Sequence, residues 1–191
     1  MKIDSDWPYY GTVEELLESA TFVFVGKITD ISFAVMGYTE ATGEPYPGNK
    51  VNSDLRLETF YSVEAETVYK GNAENLSGFW VMFGVPNYKE EEQLKIMRDR
   101  GYDYPEGKIP VLNNYEGYKT GETYLFVLKT TVGNYTGIMN LDQSLYCLSN
   151  PDVKTRTYDR PLPFGAEDIV RTFGEDKLAE FTAKYGQNKN N

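Results

Sequence analysis

Histidine is absent from this 191-residue sequence, and cysteine occurs once, at Cys147. Those two gaps exclude a Ser-His-Asp triad, a Cys-His nucleophile, imidazole metal ligands and any intramolecular disulfide. No cofactor and no metal are therefore expected. Long apolar runs are missing too. Phe22 to Val25 is strand-sized, far below the roughly 20 residues of a membrane-spanning helix, so no membrane span is expected. Basic residues are scarce, with 19 Lys and Arg against 29 Asp and Glu and a net charge of −10. That balance argues against nucleic acid and against anionic lipid as partners. It leaves a cationic ligand, a neutral glycan or another protein. Met1-Lys2 is followed by Ile-Asp-Ser-Asp-Trp-Pro and not by an apolar leader. Two placements fit: a cytoplasmic chain, or a mature secreted domain.

What is present reads as a globular chain rich in strands. Apolar residues make up 40% and aromatics 15%, enough for one domain with a substantial core. A single domain over residues 1–191 is expected, with its core at about 22–148 and a helical extension at about 164–186. Thr12-Val-Glu-Glu15 fits a capping box, opening a helix over about Val13 to Ala20 with Val13, Leu16, Leu17 and Ala20 on one stripe. Phe22 to Phe33 follows as a strand. It is continuously apolar at first, then alternating from Gly26, with a change of phase between Ile28 and Ile31. Gly26 within it signals a bulge or a bend. Arg56 to Tyr69 alternates cleanly, placing Leu57, Tyr61, Val63, Ala65 and Tyr69 on one face and Glu58, Ser62, Glu64 and Glu66 on the other. Further strands are expected at Phe79–Phe83, at 122–129 and within Tyr135–Asn140, with Leu145–Leu148 either continuing the last of these or forming a sixth. Helices are expected at Glu90–Arg100 and, broken at Gly174, over Ala166–Tyr185. Residues 37–54 and 101–120 read as long loops, and Pro151 to Pro163 as extended.

Strand, strand, strand, helix, strand, strand is the order of an OB-type barrel. Three segments sharpen this: Ser19-Ala-Thr-Phe-Val-Phe-Val-Gly-Lys-Ile28, Tyr61-Ser-Val-Glu-Ala-Glu-Thr-Val-Tyr-Lys-Gly71, and Thr120-Gly-Glu-Thr-Tyr-Leu-Phe-Val-Leu128. Together they resemble the netrin-like domain, the OB-fold module that includes the tissue inhibitors of metalloproteinases. Many bacterial exported proteins carry a comparable set. The resemblance implies a mainly β fold with flanking helices, an OB-type five- or six-stranded antiparallel barrel. It also implies an extracytoplasmic setting, secreted or cell-surface. It carries over no functional residue. The family's inhibitors chelate a protease zinc through an N-terminal cysteine, and this N-terminal segment has none.

Three groups of residues are candidates for function. Glu64 and Glu66, about 7 Å apart by strand rise, have the spacing of a carboxylate pair for glycan hydrolysis. Alternation alone also predicts polar residues on a solvated strand face, and that reading is preferred. Glu90-Glu-Glu92 suits a helix N-terminus. Cys147, between Tyr146 and Leu148, reads as a small core residue. Tyrosine is the remaining oddity, with sixteen in the chain. Tyr102, Tyr104, Tyr115 and Tyr118 cluster in one predicted loop, where they serve either as a recognition patch or as anchors pinning a long loop to the core. The expectation is a non-enzymatic binding or protein-interaction domain for protein or glycan, with a carboxylate-based glycan hydrolase as the competing class.

Overall fold

The structure, a computed structural model, describes residues 2–3, 7–38, 45–47, 56–101, 107–113, 115–131, 135–150 and 162–186. In chain order the first elements are β1 (Lys2–Ile3), α1 (Val13–Ser19), β2 (Phe22–Tyr38), β3 (Pro45–Pro47), β4 (Arg56–Lys70), β5 (Gly78–Met82) and α2 (Glu90–Asp99). The rest are β6 (Val111–Leu112), β7 (Thr123–Thr130), β8 (Thr136–Ile138), β9 (Leu145–Cys147), α3 (Ala166–Arg171) and α4 (Glu175–Tyr185). The fold is mainly β, a mixed sheet with flanking helices. Among the described residues no helix is long and apolar enough to cross a membrane.

Seven strands share one sheet in the order β3-β2-β4-β5-β8-β7-β9, and β7 also pairs with β2. The pairings β2-β4-β5-β8-β7-β2 therefore return to their start. Every pair in this ring is antiparallel except β5–β8, which run parallel at Trp80 and Gly137. The sheet is thus mixed where the resemblance implied an antiparallel one.

Two cores meet at β2 because its apolar run alternates between them. Phe24 points into the ring, where it stacks on Phe126 of β7 at 4.6 Å between centroids. Val23 and Val25 point outward with Leu125 and Val127, and are covered by Leu16 of α1, Ile169 and Val170 of α3 and Phe181 of α4. Helix α1 is held by the expected capping box, with Glu15 N–H donating to Thr12 Oγ1 and Thr12 N–H to Glu15 Oε2. The phase change near Ile28 is a bulge: Ile28 pairs with Val63 and Asp30 with Ser62, so Thr29 is the extra residue. Ile28 and Ile31 both reach the inner core as a result. Gly26 lies beside another register shift, where a Cβ would come within 2.4 Å of the Glu64 carbonyl oxygen. A side chain there would force the two backbones apart.

Three sequence expectations are corrected here. Gly26 pairs with Ala65 and Val25 with Thr67, then Phe24 with Val68 and Val23 with Lys70. Glu66 and Tyr69 are therefore the extra residues of two bulges in β4, and Tyr69 leaves the face it was expected to share with Tyr61. It stacks on Phe173 in the outer core at 5.5 Å. Glu58, expected on a solvated face, is fully buried, because ring closure brings Tyr135 over it and the tyrosine hydroxyl donates to its carboxylate at 3.1 Å. The expected loop at 37–54 contains β3, which extends the sheet beside the end of β2, and β2 itself continues to Tyr38. That longer hairpin carries Val35 and Leu57, the surface on which Met97 of α2 packs. Most of the segment read as extended, 151–161, lies outside the described residues.

The Glu66 bulge turns its carboxylate toward α4. Lys184 Nζ and Tyr185 Oη donate to it at 3.0 and 3.2 Å, and Lys27 Nζ stands at 3.1 Å. The Lys184 hydrogen bond, opposed by partial burial and reinforced by Lys27, holds Glu66 below the ordinary carboxylate range. A carboxylate whose folded pKa lies below its unfolded one stabilises the fold above the unfolded pKa. That contribution is lost as pH falls through the folded value. Urea midpoints measured across pH are expected to show the wild type more stable than Glu66→Gln near neutrality. The gap should close as pH falls below the carboxylate range. A gap independent of pH contradicts the ion-pair account.

Candidate functional site

Phe83-Gly-Val-Pro-Asn-Tyr-Lys89 joins β5 to α2, and its backbone is strained. Phe83, Asn87 and Lys89 adopt φ values of 70°, 57° and 44° without being glycine. Each such residue costs on the order of 1–3 kcal/mol, so the surroundings must impose the conformation. Gln93, one turn into α2 and fully buried, does much of this. Its Oε1 accepts from Val85 N–H at 3.0 Å, and its Nε2 donates to the Val85 carbonyl at 2.9 Å and to the Tyr88 carbonyl. One side-chain amide thus pairs both backbone groups of Val85, as a neighbouring strand would. From the strand side, Thr59 Oγ1 donates to the Phe83 carbonyl at 2.7 Å. From the facing segment, Gly117 (φ 82°) lies where a Cβ would stand 2.4 Å from Val85 Cγ1. Conformation and close approach both require glycine there.

Between this segment and residues 116–120 opens a cavity of about 460 Å³ at one end of the ring. Ile31, Val85 and Tyr118 give it apolar walls, and Asn87, Tyr88, Glu116, Lys119 and Thr120 polar ones. Beneath it lies a buried tyrosine cluster. The hydroxyls of Tyr61 and Tyr115 are 2.6 Å apart, and Tyr118 N–H donates to Tyr61 Oη at 3.3 Å. Burial pushes all three phenols well above the usual tyrosine range. They are neutral at any ordinary pH and pack the core; Tyr61 and Tyr115 bond through their hydroxyls, and the buried Tyr118 hydroxyl has no partner among the described residues. At the rim, Glu116 and Lys119 are exposed, and among the described residues neither side chain is in an ion pair.

A second concavity, of about 280 Å³, lies on the outer side of β4, β5 and β8 between Trp7, Arg56, Trp80, Met82 and Tyr135. Trp80 and Tyr135 are nearly parallel there, at 6.4 Å. Two of its polar groups are engaged, Tyr135 with Glu58 and Arg56 with the Met82 sulfur at 3.5 Å, while the buried Trp7 indole N–H has no partner among the described residues. The cavity at the ring's end is the larger of the two, and it carries four polar side chains besides Tyr88, which makes it the better candidate.

The structure divides the residues singled out from sequence. Tyr115 and Tyr118 are buried, packed edge to face at 5.5 Å, and belong to the core beneath the cavity and not to an exposed patch. Tyr102 and Tyr104 lie outside the described residues. Glu64 and Glu66 line neither cavity, and the bulge at Glu66 interrupts the pleat on which their spacing rested. Cys147 is half-buried against the inner core, its thiol pushed up by burial. Among the described residues no group of three or more Cys, Asp or Glu is placed to hold a metal ion. Sequence reasoning missed Asn87, Glu116, Lys119, Thr120 and Gln93. One signal was available: Gln93 sits four residues before Met97, on the buried stripe of α2, where a polar residue implies a buried partner.

No protein-family model matches this chain, and no curated protein matches it either.

The clamp is directly testable. Gln93→Leu keeps the volume but leaves Val85 N–H and two carbonyls without their partner. It is expected to cost about 2–4 kcal/mol in denaturant unfolding and to speed hydrogen exchange at Val85. A change within about 0.5 kcal/mol would mean that the strained segment is held by something else.

Proposed function

We propose that this chain is a non-enzymatic binding module built on an OB-type barrel, similar in plan to the netrin-like domain, with its ligand site in the cavity at the ring's end. Three features support the barrel reading. The pairings β2-β4-β5-β8-β7 return to β2, one pair among them is parallel, and α2 falls between the third and fourth ring strands. The extracytoplasmic setting comes from the resemblance, as does the family. The observation that carries the binding reading is the rigid cavity itself. A strained segment is fixed by a fully buried amide, and among the described residues Glu116 and Lys119 opposite it are in no ion pair. Strain held in place beside a cavity is the usual mark of a pre-organised site. Binding without turnover is favoured because glycan hydrolysis needs two flanking carboxylates, and among the described residues Glu116 is the one carboxylate lining the cavity.

A fragment screen followed by NMR tests this reading. Hits are expected to move the amides of Val85, Asn87, Tyr88 and residues 116–120 and to be recovered chemically unchanged. Turnover of any hit, lost in Glu116→Gln, would make the cavity an active site. Hits confined to the Trp80–Tyr135 groove would move the site to the outer face.

A further inference from the structure

Resting on the binding reading above, we infer that the cavity takes a short neutral saccharide. Charge balance comes first. Glu116 and Lys119 both line the cavity, so an anionic ligand meets a like charge at Glu116 and a cationic one meets a like charge at Lys119. A neutral ligand meets neither. This local balance stands out in a chain of net charge −10.

Hydrogen-bonding capacity points the same way. Lys119 offers donors only, Glu116 acceptors only, and Asn87 and Thr120 offer both. A ligand answering all four must carry groups that donate and accept at close intervals, as the hydroxyls of a sugar do. A hydrocarbon would strip water from these groups and return nothing. Tyr88 adds an aromatic ring to the wall, half-buried and backed by Phe33 at 6.2 Å, with Lys89 Nζ 5.5 Å from its centroid. An aromatic ring of this kind gives apolar contact to the C–H groups of a sugar, here beside the Lys89 ammonium that lies over it, and a phenol can both donate and accept. The volume, about 460 Å³, falls within the roughly 300–1,000 Å³ of small-molecule sites. The Gln93 clamp lowers the ordering cost that weak, polar ligands would otherwise meet on binding.

The test uses ¹⁵N-labelled full chain and three named neutral probes, maltotriose, cellotriose and tri-N-acetylchitotriose, with tri-galacturonate and chitosan trimer as charged counterparts. At least one neutral probe is expected to move the amides of Asn87, Tyr88 and residues 116–120 at millimolar concentration, and to bind more tightly than either charged trimer. Tyr88→Ala and the rim variant Thr120→Val should each weaken it, the former by about tenfold or more. Their spectra should otherwise overlay on the wild type, which excludes unfolding as the cause. Tighter binding by a charged trimer overturns the inference. So does a cavity that moves with short peptide probes and with none of the saccharides, although the binding reading would then stand. A cavity silent to saccharides and peptides alike overturns both.

Discussion

The double pairing of β2 is the constraint on which everything else depends. Over Val23–Lys27 this strand is bonded on one edge to β4 and on the other to β7. Pairing on both edges places this stretch inside the sheet, and Val23, Phe24 and Val25 are apolar and fully buried on its two faces, while Lys27 emerges to the surface beside Glu66. The inner face builds the ring's interior around Phe24, Tyr61, Phe79 and Phe126. The outer face seats α1, α3 and α4. A strand shared in this way cannot run straight. The bulges opposite Val23–Gly26 and at Thr29 supply the bend, and they also re-aim particular side chains. Glu66 and Tyr69 are the instructive cases, since each is an extra residue that reaches outward to the C-terminal helices.

Closure leaves the ring's end to be finished by irregular chain, and the same device serves twice. Gln93 pairs both backbone groups of Val85. Gln143, also fully buried, does the same for Tyr10, accepting from its N–H at 3.0 Å and donating to its carbonyl at 2.8 Å. Asn140 extends this second clamp to the Pro8 carbonyl at 2.8 Å. A buried amide satisfied on both sides can stand in for a missing strand neighbour, and leaving its partners unmade would be costly. The first clamp holds the wall of the candidate site, and the second fixes the N-terminal arm against the turn after β8.

Much of the fold was legible because it follows from short-range pattern. The capping box at Thr12, the two-sided run at Phe22, the phase change before Ile31 and the break at Gly174 each have a local physical cause. What was not legible depends on pairing between distant segments. Alternation in β4 gives one face for Glu58, Glu64 and Glu66. Two bulges and a tyrosine arriving from beyond β7 decide that Glu58 is buried and that Glu66 leaves the pleat. The tyrosines of 101–120 show the same limit. Their composition fits a surface patch or a set of anchors equally well, and Tyr115 and Tyr118 are resolved as anchors only by ring closure around Tyr61. The candidate site combines residues from two segments about thirty positions apart, Asn87 and Tyr88 with Glu116 to Thr120, and no spacing rule links them.

The claim that the ring is closed at β2 is tested most directly by native-state hydrogen exchange over Val23–Lys27. Successive amides in this stretch point alternately toward β4 and toward β7. In a closed ring every one of them is protected, and all exchange together with global unfolding. Fast exchange at alternate residues would show one edge of β2 open to water. The cavity at the ring's end would then lose the frame that holds it.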